Sequence, residues 1–435
     1  PSVSVSRRRE IVAQLDSFAV QVKTIPLLED IVSGKAKIEE LREVDIEDLL
    51  GREAVPPDIE LFDRCIKNKV VMVTGAGGSI GSELCRQIIK HHPKQLVLFE
   101  LSEFALYSIE QELMKSVPNG ITITALLGSV QDKHRLQSVF SVYGVDTIYH
   151  AAAYKHVPIV EENIIEGIRN NIFATYWAAE AAQQAGVETF VLISTDKAVR
   201  PTNVMGATKR FAEMVLQALS ADQNKIAIEN PNTDGKQSST TFCMVRFGNV
   251  LGSSGSVVPL FKKQIKLGGP ITVTHPEIIR YFMTIPEAAQ LVLQAGALGV
   301  GGDVFVLDMG QPVKIVDLAK KMIQLSGFQV KDDSNPDGDI EILYTELRPG
   351  EKLYEELLIG DNVTETQHPR IMRAQEKMLP LADIQQQMEL LDEACKDFNI
   401  PWVREILLHS ETGYVPEQQQ PVDLLWCELN KLHRL

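Results

Sequence analysis

The chain has 435 residues, 44% hydrophobic and 23% charged, enough to bury one large core or two smaller ones, and this composition excludes a disordered or fibrous protein. Its formal net charge of -15 excludes broad binding to nucleic acid or an anionic membrane surface, since both need a cationic field. Five scattered cysteines (Cys65, Cys85, Cys243, Cys395, Cys427) show no Cys-x-x-Cys and no histidine pair nearby, which implies a reducing compartment and no metal site. No apolar run reaches bilayer length and no signal peptide is visible, so this chain is expected to be soluble.

Residues 1–60 read as an N-terminal linker and helical segment: Arg7-Arg8-Arg9 is a solvated charge run, polar and acidic stretches follow, and Pro56-Pro57 marks a boundary. From Lys69 the pattern changes. Val70 to Thr74, Gln95 to Phe99, Ile121 to Leu126, Thr147 to His150, Thr189 to Ser194 and Thr241 to Phe247 read as buried strands separated by amphipathic helices. That alternation predicts an α/β fold, a doubly wound parallel sheet with helices on both faces. After Gly248 the turn residues become denser (Gly252, Gly255, Pro259, Gly268-Gly269-Pro270, Pro276), as in a loop-rich substrate lobe over 251–375, with some chain returning to the sheet. Residues 376–435 read as a helical extension, either an interface or a lid.

Thr74-Gly75-Ala76-Gly77-Gly78-Ser79-Ile80-Gly81 follows the first strand directly and opens a helix, placed at Ser82 to Lys90. Gly75, Gly78 and Gly81 permit a tight turn, close approach to a pyrophosphate and close helix–sheet packing, with Ser79 and Ile80 at the anion-binding helix start. Residues 61–250 therefore read as a Rossmann dinucleotide-binding domain. Glu100, at the end of the second strand, is placed to accept hydrogen bonds from the adenosine ribose, and its charge favours NAD over NADP. Ser129 and Val130 follow the third strand, where they reach the adenine; Ala151 and Ala152 follow the fourth, where small side chains let a cofactor lie close.

These motifs, together with Asn170-Asn171, Ser194-Thr195-Asp196-Lys197, the Met205/Lys209 pair, Arg246-Phe247-Gly248-Asn249-Val250 and Arg348-Pro349-Gly350-Glu351-Lys352, resemble the extended short-chain dehydrogenases/reductases. More narrowly, the chain resembles the large membrane-associated bacterial UDP-N-acetylglucosamine 4,6-dehydratases of surface-polysaccharide synthesis, over roughly residues 60 to 375. Met205 stands where most short-chain dehydrogenases carry the tyrosine of Tyr-x-x-x-Lys, and methionine takes no proton. The resemblance implies NAD as cofactor, a UDP-sugar substrate, a homo-oligomer, and a full-length protein anchored at the cytoplasmic side of the bacterial inner membrane. Such proteins carry an N-terminal membrane region that this chain lacks, so the expectation is a catalytic portion that starts at Pro1.

A 4,6-dehydratase oxidises C4 of the sugar, eliminates water across C5 and C6, and returns the hydride to C6, so it needs a base for the C4 hydroxyl, a base for C5 and an acid for the C6 hydroxyl. The resemblance assigns Asp196 as the acid and Lys197 as the C5 base, which requires a depressed lysine pKa. Lys209 binds the nicotinamide ribose and holds positive charge. Thr195, a water and Asp196 all remain candidates for the C4 proton, and Met205 packs passively on a ring. For the substrate, Asn249, Arg348 and Glu351 match the residues that hold the nucleotide diphosphate and uridine, with Lys155 and Arg280 as weaker candidates. The competing expectations are a UDP-sugar 4-epimerase and a non-catalytic NAD-binding regulatory protein.

Overall fold

The computed structural model describes residues 55–229, 239–348, 350–355, 362–416 and 423–432, with a few isolated residues before 55. Most of the 1–60 segment lies outside the described residues. Helix α1 (Ile59–Ile66) opens the continuous fold. Val70–Thr74 forms β1, buried at every residue because it has a parallel neighbour on both sides. Then follow α2 (Ser79–Ile88), β2 (Gln95–Glu100), α3 (Glu103–Met114), β3 (Thr122–Leu127), α4 (Lys133–Tyr143) and β4 (Thr147–His150). Two short helices, α5 (Val157–Glu162) and α6 (Ile164–Ile168), run through a π turn at Arg169–Phe173 into α7 (Ala174–Ala185), ahead of β5 (Thr189–Ile193), α8 (Val204–Glu229) and β6 (Thr241–Arg246). The strands lie where the apolar runs predicted them. Helix α2 starts earlier, at Ser79 instead of Ser82, because Gly78 takes the extended N-cap conformation directly after the turn.

Beyond β6 come β7 (Asn249–Val250), α9 (Val257–Lys266), β8 (Ile271–Val273), β9 (Ile279–Met283), α10 (Ile285–Leu298) and β10 (Asp303–Leu307). The chain continues through β11 (Pro312–Lys314), α11 (Ile315–Leu325), β12 (Val330–Lys331), β13 (Ile340–Tyr344), β14 (Val363–Glu365) and β15 (Ile371–Ala374). It ends in α12 (Leu381–Lys396), α13 (Ile400–His409) and α14 (Leu424–Leu432).

The main sheet has nine strands in the order β14-β15-β10-β6-β5-β4-β1-β2-β3. It is parallel from β10 to β3, with β15 and β14 added antiparallel at one edge. The order reverses between β1 and β4, and this switch point opens a crevice at the carboxyl ends of the strands. The smaller lobe has its own core, in which Phe261, Ile271, Leu318 and Ile323 are buried between α9, α11 and a parallel sheet ordered β8-β13-β12. A three-stranded sheet ordered β11-β9-β7 lies where the chain passes from β6 into the lobe, with β7 and β9 in parallel register. Strand β10 and helix α10 return to the large sheet, where α10 packs its buried face into the main core. No helix among the described residues is long and apolar enough to cross a membrane.

Candidate active site

The crevice holds a cavity of about 710 Å³ lined by the glycine loop, the ends of β4 and β5, the start of α8 and the β6–β7 turn. At the loop, Gly81 lies so close to the turn that a Cβ would stand 2.0 Å from the Gly75 carbonyl oxygen, so only glycine fits. The first turn of α2 has no side-chain cap, and its residues Ser79, Ile80 and Gly81 line the cavity. Gly75, Gly78 and Ala151 share this wall. Ala152 donates its backbone N–H to Thr74 Oγ1 at 3.3 Å, just behind it.

Glu100 stands at the end of β2, but its oxygens are engaged elsewhere. Oε2 accepts from Gly77 N at 2.9 Å, and Oε1 accepts from Leu101 N at 2.9 Å and Ser102 N at 3.0 Å. The carboxylate thus fastens the glycine loop to β2 with three of roughly four acceptor sites. One acceptor site, on Oε2, is left over for a ribose hydroxyl. Ser129 Oγ accepts from Gln131 N, and Val130 is buried in the main core; neither lines the cavity.

Past β5, Thr195-Asp196-Lys197 turns through a short 3-10 segment that brings three proton-bearing groups together. Thr195 Oγ1, on the cavity wall, donates to Asp196 Oδ1 at 2.9 Å, and Lys197 Nζ donates to the same oxygen at 3.0 Å. The other carboxylate oxygen, Oδ2, is buried without a donor among the described residues. Lys197 Nζ also reaches Glu355 Oε1 at 3.0 Å and Asn249 Oδ1 at 3.5 Å. Asn249 Nδ2 bridges both oxygens of Glu355, at 3.1 and 3.0 Å, and Arg280 Nε lies 3.2 Å from Oε1.

This arrangement corrects the expectation of a depressed Lys197. Burial alone would lower its pKa, but the Asp196 and Glu355 carboxylates outweigh burial and raise it. Burial likewise opposes ionisation of Asp196, yet Lys197 and the hydrogen bonds around the carboxyl hold it below the usual range. Glu355 moves the other way, raised by burial and by the negative charge of Asp196. Lysines are depressed elsewhere on the cavity: burial pushes Lys209 down to about 8, with Glu213 opposing, and also lowers Lys155. None of the described residues accepts a hydrogen bond from Lys209 Nζ, and it lines the cavity one helical turn after the buried Met205. Asn171, in the π turn, steadies this region: its Nδ2 donates to Thr208 Oγ1 at 3.0 Å and to the Tyr154 carbonyl at 2.9 Å.

Of the proposed substrate residues, Asn249 and Lys155 line the cavity. Arg280 and Glu351 do not; they pair with each other at 3.2 Å on the lobe side. Arg348 is exposed beyond them, with its backbone N–H on Glu351 Oε2.

Residues 71–376 match the polysaccharide biosynthesis protein family. The chain belongs to that family. The capsular polysaccharide biosynthesis protein CapD of Staphylococcus aureus is 52% identical over 370 residues, covering 85% of this chain and 58% of the relative. The chain therefore spans little more than half of that relative's length. A UDP-glucose 4-epimerase of Rickettsia massiliae is 31% identical over 68% of this chain and 79% of its own. Among solved structures, Pen from Bacillus thuringiensis superposes with a TM-score of 0.61 at 33% identity, over 73% of this chain and 90% of that one. DesIV of Streptomyces venezuelae, a dTDP-glucose 4,6-dehydratase with NAD and TYD bound, has the same fold, with a TM-score of 0.54 at 19% identity over 66% of this chain and 88% of that one. The family match and these neighbours give the chain the Rossmann-type fold of the short-chain dehydrogenases/reductases.

A dinucleotide such as the NAD bound to DesIV would fit this crevice: the uncapped α2 start, the Gly81 packing that only glycine permits and the small Ala151 wall suit a pyrophosphate. Glu355 is the site residue that sequence reasoning missed. Its one signal was position, at the end of Glu351-Lys352-Leu353-Tyr354-Glu355, directly after a motif already singled out.

Proposed function

We propose that the chain is a nucleotide-sugar 4,6-dehydratase that converts UDP-N-acetylglucosamine to a UDP-4-keto-6-deoxy-N-acetylhexosamine with internally recycled NAD. The observation that carries this reading is the Thr195–Asp196–Lys197–Glu355 cluster, which supplies more proton-handling groups than a C4 oxidation and its reversal require. When bound, the nicotinamide accepts the C4 hydride and gives it back at C6.

In this mechanism Asp196, ionised at rest, takes the proton of the C4 hydroxyl through Thr195, whose hydroxyl faces the cavity and already donates to it. The same relay later delivers that proton to the departing C6 hydroxyl, so the tyrosine replaced by Met205 is not needed. Lys197 removes the C5 proton and later returns it. Lys209 holds its charge beside the reacting centre, and Lys155 and Asn249 contact the sugar nucleotide at the mouth, with Arg280, Arg348 and Glu351 on the lobe closing toward the diphosphate. On the same reading the full-length protein is a homo-oligomer at the cytoplasmic face of the bacterial inner membrane.

The test is to incubate the chain with UDP-N-acetylglucosamine and NAD and to weigh the sugar nucleotide. Loss of one water with no net consumption of NAD is expected. An unchanged mass with an inverted C4 configuration by NMR would replace this reading with a 4-epimerase, the activity named for the Rickettsia relative.

A further inference from the structure

A lysine held between two carboxylates is a poor base, because each partner stabilises its proton. Lys197 is such a lysine: its Nζ lies 3.0 Å from Asp196 Oδ1 and 3.0 Å from Glu355 Oε1, and both carboxylates are buried. The C5 chemistry proposed above cannot start until that ammonium has given its proton away. Asp196 is already committed to the C4 and C6 oxygens through Thr195.

We infer that Glu355 is the proton store of the C5 step, a positioning residue that takes the Lys197 proton before C5 is attacked and returns it afterwards. The inference rests on the dehydratase reading and on the contacts of Glu355. The groups that face it are Lys197 and Asp196 from the turn after β5, Arg280 from β9, and the neutral Asn249 from β7; Glu351 is turned onto Arg280. Asn249 and Arg280 hold the carboxylate so that one oxygen stays on Lys197. Burial and the neighbouring Asp196 charge raise its proton affinity, which narrows the gap a transfer from lysine must cross.

The protons balance through the cycle. At rest Asp196 and Glu355 are ionised and Lys197 is an ammonium. Asp196 takes the C4 hydroxyl proton as the hydride leaves C4. Lys197 passes its proton to Glu355 and becomes neutral. Lys197 then takes the C5 proton as the C5 carbanion expels the C6 oxygen, and Asp196 protonates that oxygen to release water. After hydride returns to C6, Lys197 reprotonates C5 and recovers its own proton from Glu355. The only proton that leaves is the C4 hydroxyl proton, carried away in the water.

Glu355→Gln keeps the shape of the side chain and removes the store. The first readout is deuterium incorporation at C5 of the 4-keto product, isolated from the wild-type reaction and returned to each protein in deuterium oxide; this reads the C5 proton without the C4 oxidation. Exchange is expected to fall on the order of 10²-fold with KM little changed. The residual turnover should climb about tenfold per pH unit, because neutral Lys197 must then come from solvent. A merely structural role would lower C4 oxidation and C5 exchange together and leave the pH profile flat.

Should Glu355→Gln fail to fold, Glu355→Asp carries the test, since it sets the acceptor back by one methylene; its C5 exchange is expected to fall by more than tenfold at constant KM. A wild-type chain that dehydrates, beside a variant that exchanges C5 as fast with an unchanged pH profile, overturns the role of Glu355 alone. A wild-type chain that removes no water overturns the dehydratase reading and this inference with it.

Discussion

The chain buries two clusters of charge close to the same strand ends, and only one of them is saturated. In the first, Glu213 of α8 accepts from Ser194 Oγ at 2.6 Å, from Arg246 Nε at 2.8 Å and Nη2 at 2.5 Å, and from Arg210 Nη1 at 3.1 Å. Glu376 closes the square onto both arginines. Two cations meet two anions, and none of the four side chains lines the cavity. In the second, Asp196 keeps one buried oxygen without a donor among the described residues, Lys197 opens to the cavity, and Glu355 carries a raised pKa. A saturated network fixes geometry. An unsaturated one against a cavity leaves protons free to move.

The largest expected effect breaks the saturated cluster. Arg246→Ala leaves the wholly buried Glu213 with Arg210 as its one remaining cation and the partly buried Glu376 half-paired. Removing one partner of a buried pair costs about 3–5 kcal/mol, a large share of a typical domain's stability. The urea midpoint of unfolding should drop accordingly. A variant of undiminished stability that had lost turnover would invert the comparison and make this cluster the reactive one.

Thr195→Val probes the other cluster with little structural disturbance. It keeps a β-branched side chain while removing the hydroxyl that links the cavity to Asp196 and caps the 3-10 turn at Lys197 N. Turnover is expected to fall on the order of 10²-fold, while stability changes by about 1–2 kcal/mol, as for two lost hydrogen bonds, one of them long. Steady-state kinetics beside an unfolding curve separate the two effects. Comparable losses in both would show that Thr195 supports the turn and carries no proton.

What the sequence made legible follows from the range of the forces involved. The parallel strands were readable because a strand buried on both faces must be a continuous apolar run, and Val70–Thr74 and Gln95–Glu100 are such runs. The start of α2 was placed late because Gly78 caps through its backbone, with no side-chain acceptor to mark the position. The pKa of Lys197 was read in the wrong direction because the adjacent Asp196 was given a proton to donate and not a charge to hold beside Nζ, and because Glu355 arrives from 158 residues away. The Glu213 cluster was invisible for the same reason, since Arg246 and Glu376 are joined only across the sheet. Glu100 stands at the expected strand end, and three of its roughly four acceptor sites are taken by backbone N–H groups that no side-chain pattern reports.

Lys209 stands between the two clusters, which makes its titration the finest test of the contrast. It lines the cavity with the reactive groups, while the carboxylate that raises its pKa is Glu213 of the saturated cluster. Burial dominates and brings the ammonium down to about 8, so it is charged below that pH and neutral above it. The nearby His150 adds no limb of its own, because burial and then Lys209 push its pKa down to about 3 and keep the imidazole neutral. If Lys209 works as a cation, activity should be steady below about pH 8 and fall as pH rises through it, about tenfold per unit. Lys209→Arg should move that limb out of range, because a guanidinium stays charged there, at some cost in turnover from the altered shape. A limb of the opposite sign, with activity rising through the same pH, would make neutral Lys209 the C4 base and release Thr195 and Asp196 from that step.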